Sequence, residues 1–170
     1  MPFQMVPDGK LALNWTYFRK VNVSPDGDKM SALTACSTEP SRLSVDSKST
    51  PGVYKVAEGF MLTVRVTQDS WVVKSAIASE SESKRLINHE RTHFLLASCV
   101  AFDLYQQILD AKETSSARLQ AKLTELRRKA AKRAQDMSDE YDDDTLHGDI
   151  AIAQRNWDLR IERWDREQSE

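Results

Sequence analysis

The 170-residue sequence predicts an α+β fold, in which an N-terminal antiparallel β region packs on a central helix and two further helices follow. Three observations carry this. Turn signals cut residues 10–75 into short segments. Phe60, Leu62, Val64 and Val66 alternate with Met61, Thr63, Arg65 and Thr67, which is the period of a half-buried strand. Residues 84–110 contain neither Gly nor Pro and read as one long helix.

In order along the chain, Lys10 to Trp15 is a strand candidate, and Pro25-Asp-Gly-Asp28 is a turn. Met30 to Cys36 and Ser41 to Ser47 are further strands, and Thr50-Pro-Gly52 is a second turn. Val53 to Val56, Phe60 to Thr67 and Trp71 to Lys74 complete the β region. Ser79-Glu-Ser-Glu82 is a capping box that opens the central helix. Its continuation from Phe94 to Phe102 is apolar nearly all round, so this helix belongs in the middle of the fold. Leu119, Leu123, Leu126, Ala130, Ala134 and Met137 form a narrow stripe on a second helix over 115–137. Ile150, Ala153, Trp157, Ile161 and Trp164 mark a third over 149–166. The acidic stretch 138–148 between them reads as a loop. The whole is one domain, β-rich over 10–75 and helical over 79–167.

Composition narrows the function classes. Hydrophobic residues make up 40% and charged residues 29%, a globular balance. A net charge of -2 lacks the basic excess that nucleic-acid binding calls for. The longest apolar run, Phe94 to Phe102, is far too short to span a bilayer. The N-terminus has neither a basic nor an apolar leader segment, which fits a cytoplasmic protein or a mature exported one. Cys36 and Cys99 read as two buried thiols, with a disulfide as the alternative in an exported protein.

The chemistry is concentrated in His89-Glu90-Arg91-Thr92-His93. Residues four apart share a helix face, so both imidazoles reach one ion. Zinc is the ion this pattern suits, and Glu90 follows the first ligand as a general base for a metal-activated water. A catalytic zinc needs a third protein ligand, and His147, the remaining histidine, is the simplest. Asp142, Asp143 and Asp144 compete for that role. Asp103 does not, because ten residues of helix put it about 15 Å from His93. Asp142 or Asp144 is expected behind a ligating histidine, accepting its free ring N–H. Tyr141 is a candidate donor to the oxyanion of a tetrahedral intermediate, with core packing as the alternative.

Three stretches resemble a known family. They are Leu13-Asn-Trp-Thr-Tyr-Phe-Arg19, Ser70-Trp-Val-Val with Leu86-Ile-Asn-His-Glu-Arg-Thr-His-Phe94, and Tyr141-Asp-Asp-Asp-Thr-Leu-His-Gly148 followed by Gln154, Trp157 and Ile161. Together they look like the bacterial predicted secreted zinc-dependent proteases. The resemblance implies a zincin-like fold, one zinc ion, peptidase activity on a peptide or protein substrate, and a secreted or periplasmic location. It supports His89 and His93 as ligands, Glu90 as base, and a site role for Tyr141, Asp142 and His147. Relatives often carry an acid soon after the second motif histidine, where this chain has Leu95 and Leu96.

The expectation is therefore a zinc metallopeptidase whose substrate strand pairs with an exposed sheet edge at Phe60 to Thr67. Two rivals stand beside it: a non-catalytic module stapled by zinc, and a helical interaction protein using Leu119 to Met137.

Overall fold

A computed structural model describes residues 3–8, 12–25, 30–47 and 49–167 of the chain. It is an α+β protein of nine short strands and three helices among those residues. The strands are β1 (Phe3–Val6), β2 (Arg19–Val21), β3 (Ala32–Leu33), β4 (Cys36–Pro40), β5 (Val45–Asp46), β6 (Tyr54–Val56), β7 (Leu62–Val66), β8 (Trp71–Val73) and β9 (Lys112–Glu113). The helices are α1 (Glu80–Asp110), α2 (Ser116–Thr145) and α3 (Ala151–Glu167).

The strands form three small sheets, ordered β1-β7-β4, β2-β8-β3 and β5-β6-β9. The pairing is mixed rather than purely antiparallel: β1 runs parallel to β7 and β2 parallel to β8. The alternation in β7 is as the sequence demands, with Leu62, Val64 and Val66 buried and Arg65 exposed. Its neighbours β1 and β4 occupy both sides, so the expected substrate edge at Phe60 to Thr67 is closed. The outer strand on that side is β4. Two strands lie outside the expected β region. One is β1, and the other is β9, which follows α1 and pairs with β6, tying the helical half to the β half.

The strand expected at 10–15 is absent where it is described: Trp15–Tyr17 is a 3-10 turn capped by Asn14, whose side chain accepts from the Thr16 N–H. Residues 10–11 and the turn at 26–28 lie outside the described residues. Met30 to Cys36 divides into β3 and the start of β4. The Thr50–Gly52 turn closes with a Val53 N–H to Thr50 carbonyl bond and puts Gly52 at φ 76.

The Ser79 hydroxyl caps α1 by accepting from the Glu82 N–H at 3.4 Å. The helix carries 31 residues, about 46 Å at 1.5 Å per residue, and it is the shared floor of two cores. Leu86, Ile87, Phe94, Ala101, Leu104 and Ile108 pack among the strands and Leu119 of α2. Leu95, Leu96 and Cys99 pack with Tyr141, Trp157 and Ile161 on the other side.

The larger correction concerns residues 138–148. Helix α2 does not stop at Met137 but continues to Thr145, so Tyr141, Asp142, Asp143 and Asp144 are helical. Acidic residues at a helix C-terminus oppose the macrodipole, which favours reading them as loop. Here the Thr145 hydroxyl bonds the Tyr141 carbonyl, Trp157 holds Asp144, and a histidine cluster holds Asp142. The contacts of Asp144 and Asp142 are tertiary, and they outweigh the local preference. The connection to α3 shrinks to residues 146–150.

Candidate metal centre

His89 and His93 project from one face of α1, and Asp142 faces them from the last turn of α2. His89 Nε2 and His93 Nε2 lie 3.1 Å apart, and each lies near Asp142 Oδ1, at 2.9 and 3.0 Å. The sharp reversal after α2 adds His147, whose Nδ1 is 3.3 Å from the same oxygen. Leu146, His147 and Gly148 have φ of 46, 53 and 85 in succession, a left-handed run that turns the imidazole back over the helix end. Gly148 is required here on two counts. Its φ is positive, and a Cβ on it would stand 3.1 Å from His89 Cβ and Cγ. His89 is 2% exposed, whereas the His147 side chain is 59% exposed.

The ring orientations are set from behind. His89 Nδ1 is 3.3 Å from Gln154 Oε1, which also accepts the Tyr141 hydroxyl at 2.5 Å. Gln154 Nε2 donates to Asp158 Oδ1 at 3.0 Å, which orients the amide, and Asp158 is braced by Thr92 and Asn88. Gln154 Oε1 is an acceptor for a proton on His89 Nδ1, and in that tautomer the Nε2 lone pair is turned toward Asp142 and His93. His93 Nδ1 meets the Ser138 hydroxyl at 2.9 Å.

In that tautomer of His89 a carboxylate oxygen faces an imidazole lone pair at 2.9 Å, an arrangement that a proton or a metal ion between them would satisfy. Burial alone would lower the His93 pKa, but contact with Asp142 and the charges of Glu90, Asp142 and Asp139 outweigh it and raise it. Burial alone would likewise raise the Asp142 carboxyl. The two imidazole contacts and their charges win, holding it well below the usual carboxylate range.

A divalent cation fits the same donors. A tetrahedral zinc site with bonds of about 2.0–2.1 Å has donor–donor edges of about 3.3–3.4 Å. The His147–Asp142 separation of 3.3 Å equals that edge, and the contacts among His89, His93 and Asp142, at 2.9–3.1 Å, fall slightly inside it. One donor atom from each of His89, Asp142 and His147 lies within 4.8 Å of the others. The donor set, imidazole nitrogen and carboxylate oxygen, suits zinc.

Several expected roles fall elsewhere. Asp142 does not sit behind a histidine; it faces the same nitrogens as the cluster. The backing is done by Gln154 and Ser138. Asp144 does not reach a histidine and accepts the Trp157 indole N–H at 2.9 Å. Asp143 is exposed. Tyr141 is completely buried, with its ring stacked on His89 at 4.6 Å and 19° and its hydroxyl committed to Gln154. It is a wall of the site, not a donor into it, and burial pushes its hydroxyl pKa up. A helical Tyr141 shares a face with Thr145 and so points into the core, which a loop reading does not reveal.

Glu90 is 3% exposed, and its Oε2 accepts the Thr34 hydroxyl at 2.6 Å. Thr34 and His93 both line a cleft of about 490 Å³ bounded by β4, α1 and α2. Cys36 is in its wall. Neither cysteine is in a disulfide; Cys99 is buried and Cys36 half-buried.

The sequence reading named Gln154 only within the resemblance and gave it no role, and it missed Ser138, Thr34 and Asp158. A signal existed for Gln154, a polar residue at the spacing of Trp157 and Ile161 on a face that is otherwise apolar. Among the described residues no helix is long and apolar enough to cross a membrane. Residues 19–148 match a family model described as a bacterial protein of unknown function, DUF922. No curated protein and no solved structure matches the chain.

Proposed function

The chain belongs to that bacterial family of unknown function, and from its histidine cluster we propose that it is a zinc-dependent hydrolase acting on peptide bonds. The observation that carries this is the approach of His89, His93 and Asp142 to one another at 2.9–3.1 Å beside a buried glutamate of the same helix. When bound there, zinc lowers the pKa of a coordinated water toward ~7 and polarises a carbonyl oxygen.

The chain's own groups do the rest. Gln154 and Ser138 fix the two motif imidazoles with their Nε2 atoms inward. Asp142 supplies the compensating negative charge. Thr34 donates to one oxygen of Glu90 and leaves the carboxylate able to take a proton from the attacking water and return it to the leaving amine. His147 is the most exposed of the four and the farthest from Asp142, so it is the donor most easily exchanged for water or substrate.

A second reading starts from the same donors. His89, His93, Asp142 and His147 would close a tetrahedron if His147 also moved up to His93, and a closed site is a staple joining α1 to the end of α2 rather than a catalyst. The experiment that tests the proposal is zinc-restored hydrolysis of a peptide library after chelation, compared between the parent and Glu90→Gln. Hydrolysis that is equal in both defeats the mechanism.

A further inference from the structure

The cleft that begins at His93 continues along the helices, away from the histidine cluster. On α2 it is walled by Ser138, Ala134, Ala131, Ala130 and Arg127, all on one helical face. On α1 the facing residues run from His93 through Ala97 and Ala101 to Leu104. Ser138 meets His93 and Arg133 meets Asp103, so the two helices run antiparallel and Arg127 lies at the end remote from the histidines. Eleven residues separate Ser138 from Arg127, about 16 Å of helix. The third wall is the outer strand β4, through Cys36, Thr38 and Pro40.

The remote end has a chemical demand. Arg127 Nη2 is shut off from water and has no hydrogen-bond partner among the described residues. No lining residue of the cleft is an acid. Arg127 is half-buried in the cleft wall and always charged, and one donor of its planar fork is buried without an acceptor, a costly arrangement that a carboxylate relieves with two parallel bonds once the side chain turns to meet it. The alanines between the two ends leave open volume, about 490 Å³, within the range of ligand sites.

We propose that this cleft binds an extended peptide, with a carboxylate of the peptide held by Arg127 and its apolar side chains against the alanine-lined wall. At ~3.3 Å per residue, 16 Å is about five residues, so a bond near His93 lies roughly five residues from that carboxylate. The assignment of cleavage at the histidine end rests on the hydrolase reading; the binding does not.

The test uses the full-length Glu90→Gln protein loaded with zinc, which keeps the probe intact. Fluorescence anisotropy reports binding of labelled pentapeptides of Phe, Leu and Ala. One ends in a free carboxylate, one in an amide, and one in an amide with Glu as its last residue. The free acid should bind at least ~10-fold tighter than the plain amide, the scale of a charge-assisted bidentate contact. The Glu-amide probe identifies the source: affinity equal to the acid supports any carboxylate, and affinity equal to the plain amide supports the chain terminus. Adding Arg127→Gln should abolish the advantage of the acid while leaving the plain amide's affinity unchanged. If that variant fails to fold, Arg127→Lys, which keeps charge but loses the fork, should show a reduced advantage. Equal binding of acid and amide, an advantage that survives Arg127→Gln, or no binding of any probe at about 1 mM overturns the proposal. A parent protein that cleaves nothing while this preference holds refutes the hydrolase reading and leaves the cleft assignment standing.

Discussion

Gln154 Oε1 lies 3.3 Å from His89 Nδ1 and takes the Tyr141 hydroxyl at 2.5 Å, so one amide oxygen both aims a motif imidazole and keeps the tyrosine out of the site. Partners behind a ligating histidine typically affect metal affinity by about 10–100-fold. Gln154→Leu should weaken zinc binding by that factor, measured by competition with a chromophoric chelator. Gln154→Glu keeps an acceptor behind Nδ1 but faces the Asp158 carboxylate in place of the amide N–H, so it should recover only part of the affinity lost in Gln154→Leu. Equal affinity for Gln154→Leu and parent would mean that the imidazole is oriented by packing on Tyr141 alone.

Asp142 and His147 divide the remaining donor positions unequally. Asp142 Oδ1 is within 3.0 Å of both motif nitrogens, whereas His147 comes no nearer to Asp142 than 3.3 Å, from a largely exposed position. Asp142→Ala should therefore lose zinc more completely than His147→Ala, by about tenfold or more. Isothermal titration of the two variants decides it. The reverse order would make the histidine the firm ligand and Asp142 an acceptor for protonated imidazoles.

Much of this site was legible in the sequence, but only as residue identities. The H-E-x-x-H spacing gives two nitrogens on one helix face without knowledge of the fold, because helical periodicity is a local property. What Asp142, Asp144 and Tyr141 do was not legible. It depends on whether 138–145 is helix or loop, and two tertiary anchors, Trp157 on Asp144 and His89 on Asp142, settle that against the macrodipole. The fold shows the same division. The alternation in Phe60 to Thr67 predicts the strand and its buried face. Its central place in a mixed sheet depends on β1, a four-residue segment more than fifty residues away in sequence whose pattern carries no signal of its own.

Gly148 is where backbone and site meet. A methyl group there must displace the His89 ring from 3.1 Å and sit on a φ of 85. Gly148→Ala should destabilise by about 1–3 kcal/mol and lower zinc affinity together. Thermal unfolding of the chelated protein gives the first and chelator competition the second. Unchanged values of both would show that the 146–150 turn relaxes freely.

The thiols offer a check on burial independent of metal. Burial, with the charges of Asp165 and Asp103, pushes the Cys99 pKa from 9.0 up to about 12, and burial with Glu90 does the same for Cys36. A raised thiol pKa means less thiolate at any pH below it, and thiolate is the reactive form. At pH 8 the shift reduces the thiolate fraction by roughly a thousandfold. Alkylation by iodoacetamide, followed by mass spectrometry, should be slow for the folded protein and fast in denaturant. Rapid modification of Cys99 under native conditions would contradict the packing of α1 against α3.

Glu90 separates catalyst from staple. It is buried, it belongs to the motif, and its Oε2 is held by Thr34 rather than by any of the four metal-site donors. Glu90→Gln keeps the shape and can still accept from the Thr34 hydroxyl, but it cannot take a proton at neutral pH. The variant should bind zinc as the parent does and unfold at nearly the same temperature. If Glu90 is the general base, hydrolysis of a peptide library should fall by at least ~10². Thr34→Val removes only the hydroxyl that positions the carboxylate. It should lower kcat by a smaller factor, leave KM near the parent's and be partly rescued by Thr34→Ser. In a staple, zinc content and unfolding temperature respond to His89 and His93 but to neither Glu90 nor Thr34, and no zinc-restored hydrolysis exists to lose. The two readings thus differ in a single comparison, parent against Glu90→Gln, made at equal zinc occupancy.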